Sequence, residues 1–219
     1  GVLAASRRLA LVAVLALLMA LLWWCGAARS VWPLWFAVAG WAVNFYWVVH
    51  YPAKREQWGS TAARLAMGLW VLLPAWVGFN VLRDTGGVWL LYVLLLVWGA
   101  DIGAYFCGRA WGRRKLAPGV SPGKSWEGVA GGVAVTLLLA LLFAVWQGLG
   151  LAAGLGLVMV TAGVTLVSVL GDLLESMLKR FRGIKDSSNL LPGHGGVLDR
   201  IDSLTAAVPL FALLSLGML

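Results

Sequence analysis

Long apolar stretches alternate with short polar segments along the whole chain. Since a helix needs about 20 largely apolar residues to cross the hydrocarbon core of a bilayer, such stretches are candidate membrane spans. Seven stretches qualify: residues 9–26, 31–49, 63–82, 88–107, 128–147, 150–171 and 204–219. The pattern predicts an all-α fold, a polytopic helical integral membrane protein with about seven transmembrane segments. It assigns residues 1–219 to a single membrane-embedded domain.

Composition supports a membrane protein. The chain is 61% hydrophobic, has a mean hydropathy of +0.88 and contains 14 tryptophans, which excludes an ordinary soluble domain. The net charge of +8 would suggest nucleic acid as a partner of a soluble chain, but a chain of membrane spans is not expected to bind it. The expected partner is the lipid bilayer.

The basic residues predict the orientation of the spans. When the connections between spans are assigned alternately to two sides, one side receives 15 of the 17 lysines and arginines. The other side receives only Arg29 and Arg83. Because cytoplasmic loops carry an excess of Lys and Arg, the first side is predicted to be cytoplasmic. This side includes two long polar loops, residues 108–127 and 172–203, which are the predicted site loops.

Acidic residues are concentrated in or beside these two loops. Seven of the nine lie there: Asp101, Glu127, Asp172, Glu175, Asp186, Asp199 and Asp202. Carboxylates bind Mg²⁺, while Lys and Arg neutralise the phosphate oxygens that the metal does not reach. A cluster of both kinds of side chain therefore predicts a site for a metal-bound polyphosphate.

The segment GDLLESMLKR begins where the sixth predicted span ends. Asp172, Glu175, Ser176 and Lys179 have helical spacing, so a continuing helix places all four on one face. An ordinary helix at the membrane interface has a similar pattern and remains an alternative. An acidic residue at membrane depth is costly, which favours a functional role for Asp172.

The segment SPGKSWEG precedes the fifth predicted span. Pro122 and Gly123 predict a tight turn with exposed backbone N–H groups, and Lys124 adds a positive charge. Ser125 and Glu127 then lie at the start of the span. The combination favours an anion-binding turn, and a basic turn that faces lipid headgroups is the alternative.

The segment GHGGVLDRID, residues 193–202, combines glycines with charged residues. The glycines are expected to let the backbone come close to a ligand. Asp199 and Asp202 are three residues apart, so they share a face of a helix that runs into the seventh span. Opposite Asp172 and Glu175, they would form a metal cage between two helices.

Residues 176–202 together carry a longer pattern. A serine is followed by Lys-Arg, then Lys-Asp, then His-Gly-Gly and finally Asp-Arg-x-Asp. This pattern resembles the signature of the phosphatidate cytidylyltransferases (CDP-diacylglycerol synthases). The matching positions are Ser176, Lys179, Arg180, Lys185, Asp186, His194, Gly195, Gly196, Asp199, Arg200 and Asp202. Residues 98–128 are similar to an earlier cytoplasmic block of the same family. Bacterial members have further hydrophobic segments before this region, which favours an N-terminal truncation.

The resemblance implies a metal-dependent nucleotidyltransferase of phospholipid biosynthesis in the inner membrane of a bacterium. The reaction converts CTP and phosphatidate to CDP-diacylglycerol and pyrophosphate. The expected cofactor is Mg²⁺. A second cation and assembly into a homodimer are both left open.

Each candidate site residue has an expected role. The residues expected to be catalytic are Asp172, Lys124, Lys179, Asp199 and Asp202. The metal ligands are expected to be Asp172, Asp199 and Asp202, with Glu175 and Asp186 as lesser candidates. The residues expected to bind substrate are Ser121, Ser176, Arg180, Lys185, His194, Gly195, Gly196 and Arg200.

Two other functions are compatible with parts of the pattern. A CTP-dependent polyprenol or phytol kinase would use a similar nucleotide site with an alcohol as the acceptor. Such a kinase needs a general base for its alcohol, whereas a phosphate acceptor does not. A cation-coupled transporter would place acidic residues near the midplane of several spans, but here they lie at one rim of the predicted bundle.

Overall fold

The computed structural model describes residues 5–193 and 195–215, with side chains described from residue 9 onward. A 3₁₀ turn, Ala27–Arg29, follows the first helix. The helices in chain order are α1 (Ala5–Trp24), α2 (Trp32–Val49), α3 (Arg55–Trp58), α4 (Thr61–Thr85), α5 (Gly87–Trp111), α6 (Trp126–Trp146), α7 (Leu151–Arg182) and α8 (Leu198–Leu214).

The predicted all-α architecture is confirmed. Each of the seven predicted spans coincides with one of the long helices. By length and composition, four helices of the described part could cross a membrane: α4, α5, α6 and α7. α2 is 18 residues long, but four tryptophans and Asn44 lower its hydropathy. α8 begins with the polar segment LDRIDS, and residues 216–219 of the seventh predicted span lie outside the described residues.

α5 and α6 pack closely because small residues face each other. A Cβ atom added to Gly103 would lie 2.6 Å from the Gly131 carbonyl oxygen, and one added to Gly132 would lie 2.8 Å from the Ala100 carbonyl oxygen. Only glycine at these positions lets the two backbones approach so closely. The close contact brings the end of α5 beside the start of α6, where the site lies.

The loop predicted at residues 108–127 is mostly regular structure. α5 continues to Trp111, and two short antiparallel strands follow, β1 (Lys115–Ala117) and β2 (Ser121–Ser125). The prediction of a tight turn at Pro122 and Gly123 was wrong, because both residues lie in the extended strand β2. Pro122 is tolerated there since both strands of a two-stranded ribbon are edge strands, where a missing N–H donor costs little.

The loop predicted at residues 172–203 is shorter than expected. α7 continues without a break to Arg182, since no glycine or proline lies between Gly171 and Gly183. Gly183 ends the helix in the left-handed conformation at φ 66°. The non-helical segment is therefore residues 183–197, and Asp199 and Asp202 lie on the first turns of α8, as predicted.

Two buried clusters support these helices. In the first, the Tyr92 ring lies 4.4 Å from that of Phe143 and 5.4 Å from that of Phe211, which ties α5, α6 and α8 together. The second lies under the site and includes Trp58, Val120 and Met177. It joins the α2–α4 connection, the β1–β2 hairpin and the end of α7.

Candidate functional site

The first feature of the site is an ion pair between β2 and α7. The ammonium nitrogen of Lys124 lies 2.6 Å from a carboxylate oxygen of Asp172, and both side chains are about three-quarters buried. The Ser176 hydroxyl donates to the other oxygen of Asp172 at 3.2 Å. The two predicted site loops therefore meet at one place, although they are two helices apart in sequence.

A second cation, Lys179, lies about two turns beyond Asp172 along α7. The Lys179 ammonium group contacts Glu175 at 2.8 Å and Asp199 at 2.7 Å, so it bridges α7 and the start of α8. The side chains of Glu175 and Asp199 are only 6% and 8% exposed. Buried carboxylates of this kind need a counter-charge, and Lys179 supplies it to both.

Asp199 is bound by the glycine-rich segment that precedes it. Its carboxylate accepts from the Ser187 amide and hydroxyl and, at 2.6 Å, from the Gly196 amide. A Cβ atom on Gly195 would lie 2.9 Å from the same carboxylate. The glycines were expected to let the backbone approach a ligand. In the structure their backbone wraps the chain's own Asp199.

These contacts determine the protonation of Asp199. Burial by itself raises the pKa of a carboxyl group, but hydrogen bonds from Lys179, Ser187 and Gly196 outweigh it and hold the pKa of Asp199 below its ordinary value. Asp199 is therefore charged at neutral pH, and the loop folds around its carboxylate.

The other acidic side chains of the site, Asp172, Glu175 and Asp202, interact with one another. The carboxyl group of Asp202 interacts electrostatically with those of Asp172 and Glu175. The carboxyl group of Glu175 is buried and shares a hydrogen bond with that of Asp202. Glu175 and Asp202 also line a small cleft of about 80 Å³ whose other walls are apolar residues of α4, α7 and α8. The residues predicted to share one face of α7 thus contact two different neighbours.

A larger cavity of about 380 Å³ lies between α5, α6, α7 and β2. Its polar lining includes Asp101, Tyr105, Arg109, Lys124, Thr165 and Asp172. Its volume falls in the range of small-molecule sites. Lys124 and Asp172 form part of its wall, so the ion pair is accessible to a ligand in the cavity.

Two cavity residues, Tyr105 and Arg109, were absent from the predicted site residues, and a third, Asp101, was predicted only as a member of the acidic cluster. The Arg109 guanidinium donates to the Tyr105 hydroxyl at 2.8 Å, which orients both at the cavity. Asp101 interacts electrostatically with Lys124 and Asp172. The three positions are four residues apart, so the helical spacing of polar residues at the end of the fourth span was the signal that could have identified them.

Other predicted residues lie around this centre. Ser121 begins β2, and Arg180 donates from Nε to the Val120 carbonyl oxygen at 3.3 Å. Lys185 and Arg200 are exposed, as is Asp186, which lies near Gly195. His194 lies outside the described residues. The start of α6 is already occupied internally, since Ser125 accepts from the Gly128 amide and Glu127 from the Arg113 amide.

The carboxylates differ in how well they suit a metal ion. Asp172, Glu175 and Asp202 offer hard oxygen donors, and their carboxyl groups interact with one another. Asp199 does not fit, because Lys179, Ser187 and Gly196 occupy both of its oxygens. Among the residues described, no three His, Cys, Asp or Glu side chains are placed so that they could hold a metal ion. The predicted cage of Asp172, Asp199 and Asp202 is therefore not formed in this arrangement.

Fold and site together define a helical membrane protein with a charged cavity at one end of its bundle. Residues 3–216 match the model of the cytidylyltransferase family. The chain belongs to the cytidylyltransferase family.

Individual relatives are also similar over most of the chain. A phosphatidate cytidylyltransferase of Pseudomonas aeruginosa is 53% identical over 181 residues, which are 81% of this chain and 66% of the relative. The corresponding protein of Haemophilus influenzae is 48% identical over 188 residues, 80% of this chain and 65% of the relative. That of Bacillus subtilis is 44% identical over 136 residues, 62% of this chain and 50% of the relative. The chain thus spans less than two thirds of the length of these curated relatives.

Proposed function

We propose that this protein transfers the cytidylyl group of CTP to phosphatidate and so forms CDP-diacylglycerol and pyrophosphate. The observation that carries the proposal is the Lys124–Asp172 ion pair in the wall of a 380 Å³ cavity. Membership in the cytidylyltransferase family and the names of the relatives supply the nucleotide and the lipid.

The chemistry needs no activated serine or cysteine. A phosphate oxygen of phosphatidate attacks the α-phosphorus of CTP, a new P–O bond forms, and the bond to the β-phosphate oxygen breaks with its electron pair leaving on pyrophosphate. The protein has to bring two polyanions together and neutralise them. Lys124 and Arg109 both line the cavity and are the cations suited to this task. A bound phosphate would compete with Asp172 for the Lys124 ammonium group.

A divalent cation such as Mg²⁺ is part of the proposal. Asp172 and Asp202, whose carboxyl groups interact electrostatically, would bind it together with phosphate oxygens of the substrates, because Mg²⁺ is usually held by one or two carboxylates plus substrate phosphates. When bound, the ion would neutralise phosphate oxygens of the nucleotide and stabilise the leaving pyrophosphate. Lys179 would keep Asp199 and Glu175 in place beside it.

Two positions of the label in CTP test the reaction. With detergent-solubilised protein, phosphatidate and Mg²⁺, we expect radioactivity from α-³²P-CTP in the lipid fraction and none from γ-³²P-CTP. A lipid alcohol in place of phosphatidate should accept neither label. Incorporation of the γ label into the alcohol would instead establish a CTP-dependent lipid kinase and refute the proposal.

The proposed orientation places the site in the cytoplasm, because 15 of the 17 Lys and Arg residues fall on that side. In a chain with Cys25 and Cys107 replaced by serine, single cysteines at Pro118 and Asn189 should resist impermeant thiol reagents in intact cells and react after lysis. A cysteine at Gln147, in the exposed α6–α7 connection, should react in intact cells. The reverse labelling pattern would overturn the orientation.

A further inference from the structure

The β1–β2 hairpin is attached to α7 at two points. At one end of β2, Lys124 forms its ion pair with Asp172. At the turn before β2, the carbonyl oxygen of Val120 accepts a hydrogen bond from Nε of Arg180 at 3.3 Å. Both α7 residues face the hairpin, although they are eight positions apart.

The spacing of the two attachments matches. Eight residues of an α-helix rise by about 12 Å, at 1.5 Å per residue. The four steps from Val120 to Lys124 span about 13 Å in an extended strand. The stretch from Val120 to Lys124 therefore has about the same length as the α7 segment from Asp172 to Arg180, and each of its ends contacts one end of that segment.

Arg180 is exposed, but the residue that it contacts is buried. Val120 is only 2% exposed and belongs to the same buried cluster as Leu174 and Met177 of α7. Its amide donates to the Ala117 carbonyl oxygen at 3.1 Å, which closes the turn between the strands. Behind the end of α7, Phe181 packs against the fully buried Trp58 with their rings 5.0 Å apart. The end of α7 is thus a firm support for the turn.

We infer that Arg180, together with Val120, is a positioning residue that fixes the hairpin so that Lys124 reaches Asp172 and the cavity. This assignment replaces the expectation that Arg180 contacts a substrate phosphate directly. It rests on the proposed function in so far as Lys124 serves the nucleotide.

A double-mutant cycle with Lys124 tests the inference, because a residue that acts only through Lys124 has no effect once Lys124 is gone. We expect Arg180→Gln to raise the Michaelis constant for CTP about tenfold and to change kcat less. A tenfold effect is the size expected when one hydrogen bond that positions a charged group is lost. In the Lys124→Ala background the same change should alter the constant less than about twofold. Arg180→Lys, which keeps a donor, should restore most of the loss. Arg182→Gln, an exposed arginine of the same helix turn, is the matched control and should behave as wild type.

Equal losses in both backgrounds would show direct contact with substrate and overturn the inference, and so would a wild-type constant for Arg180→Gln. If Arg180→Gln does not fold, Val120→Ala enters the same cycle with the same expectation. Hydrogen–deuterium exchange of residues 115–125 gives a readout that is independent of turnover. Faster exchange in Arg180→Gln would support the attachment. This holds even if the wild-type protein fails to label lipid from α-³²P-CTP, because that failure would refute only the proposed function. Unchanged exchange would overturn the inference.

Discussion

Asp172→Asn is expected to lower the turnover of CTP by at least about 100-fold while the protein still inserts and folds. Asparagine keeps the size of the side chain and can still accept the Ser176 hydrogen bond, but it has no charge for the Lys124 ammonium group. It also removes a carboxylate from the set proposed to hold the divalent cation. Turnover is measured as α-³²P transfer to phosphatidate at saturating CTP, so that weaker binding alone does not explain the loss.

Asp84→Asn is the matched control for this change. Asp84 is also an aspartate paired with basic side chains, at 3.1 Å from Arg29 and 2.9 Å from Arg83, but it lies at the opposite end of the proposed topology. Its replacement should leave turnover within about twofold of wild type, because exposed ion pairs contribute little. Near-normal turnover in Asp172→Asn would remove Asp172 from the catalytic residues.

The fold was largely predictable because apolar length determines where a chain can cross a membrane. All seven apolar stretches are helices, and the helical spacing of Asp172, Glu175 and Lys179 correctly indicated that the sixth span continues into the polar segment. The meeting of Lys124 with Asp172 was also predictable, since neighbouring helices joined by a short connection bring their far ends together. The roles of these residues stay predictions.

The details of the polar segments depend on contacts that the local sequence does not contain. The β1–β2 hairpin was missed because Pro122 and Gly123 favour a turn, whereas pairing with Lys115–Ala117 and burial of Val120 against α7 stabilise a strand. The role of the glycine-rich segment stays a prediction. The structure adds that the Gly196 amide, three residues before Asp199, and the Ser187 amide both donate to the Asp199 carboxylate, a contact that the local sequence did not indicate.

Lys179→Met should strongly destabilise the protein. Lys179 is the cation between Glu175 and Asp199, and all three side chains are at most 19% exposed. Methionine keeps the apolar stem and leaves the buried Asp199 carboxylate without its counter-charge, a loss of the kind that costs about 3–5 kcal/mol. Thermal unfolding of the purified protein in detergent measures the effect. Lys115→Met, at an exposed lysine of β1, is the control and should leave the unfolding temperature nearly unchanged.

The pH dependence of this loss distinguishes missing charge from missing packing. In the wild type the pKa of Asp199 is held below its ordinary value, so its contribution to stability is complete above the unfolded pKa of about 3.9 and is lost as the pH falls through the lower folded pKa. In Lys179→Met one of the hydrogen bonds that lower this pKa and the nearby positive charge are removed, so protonation relieves the buried Asp199 carboxylate at a higher pH. The difference in unfolding temperature between variant and wild type should therefore be largest near pH 8 and shrink toward pH 5. A difference that stays constant over this range would mean that Lys179 stabilises the site through its packing and not through its charge.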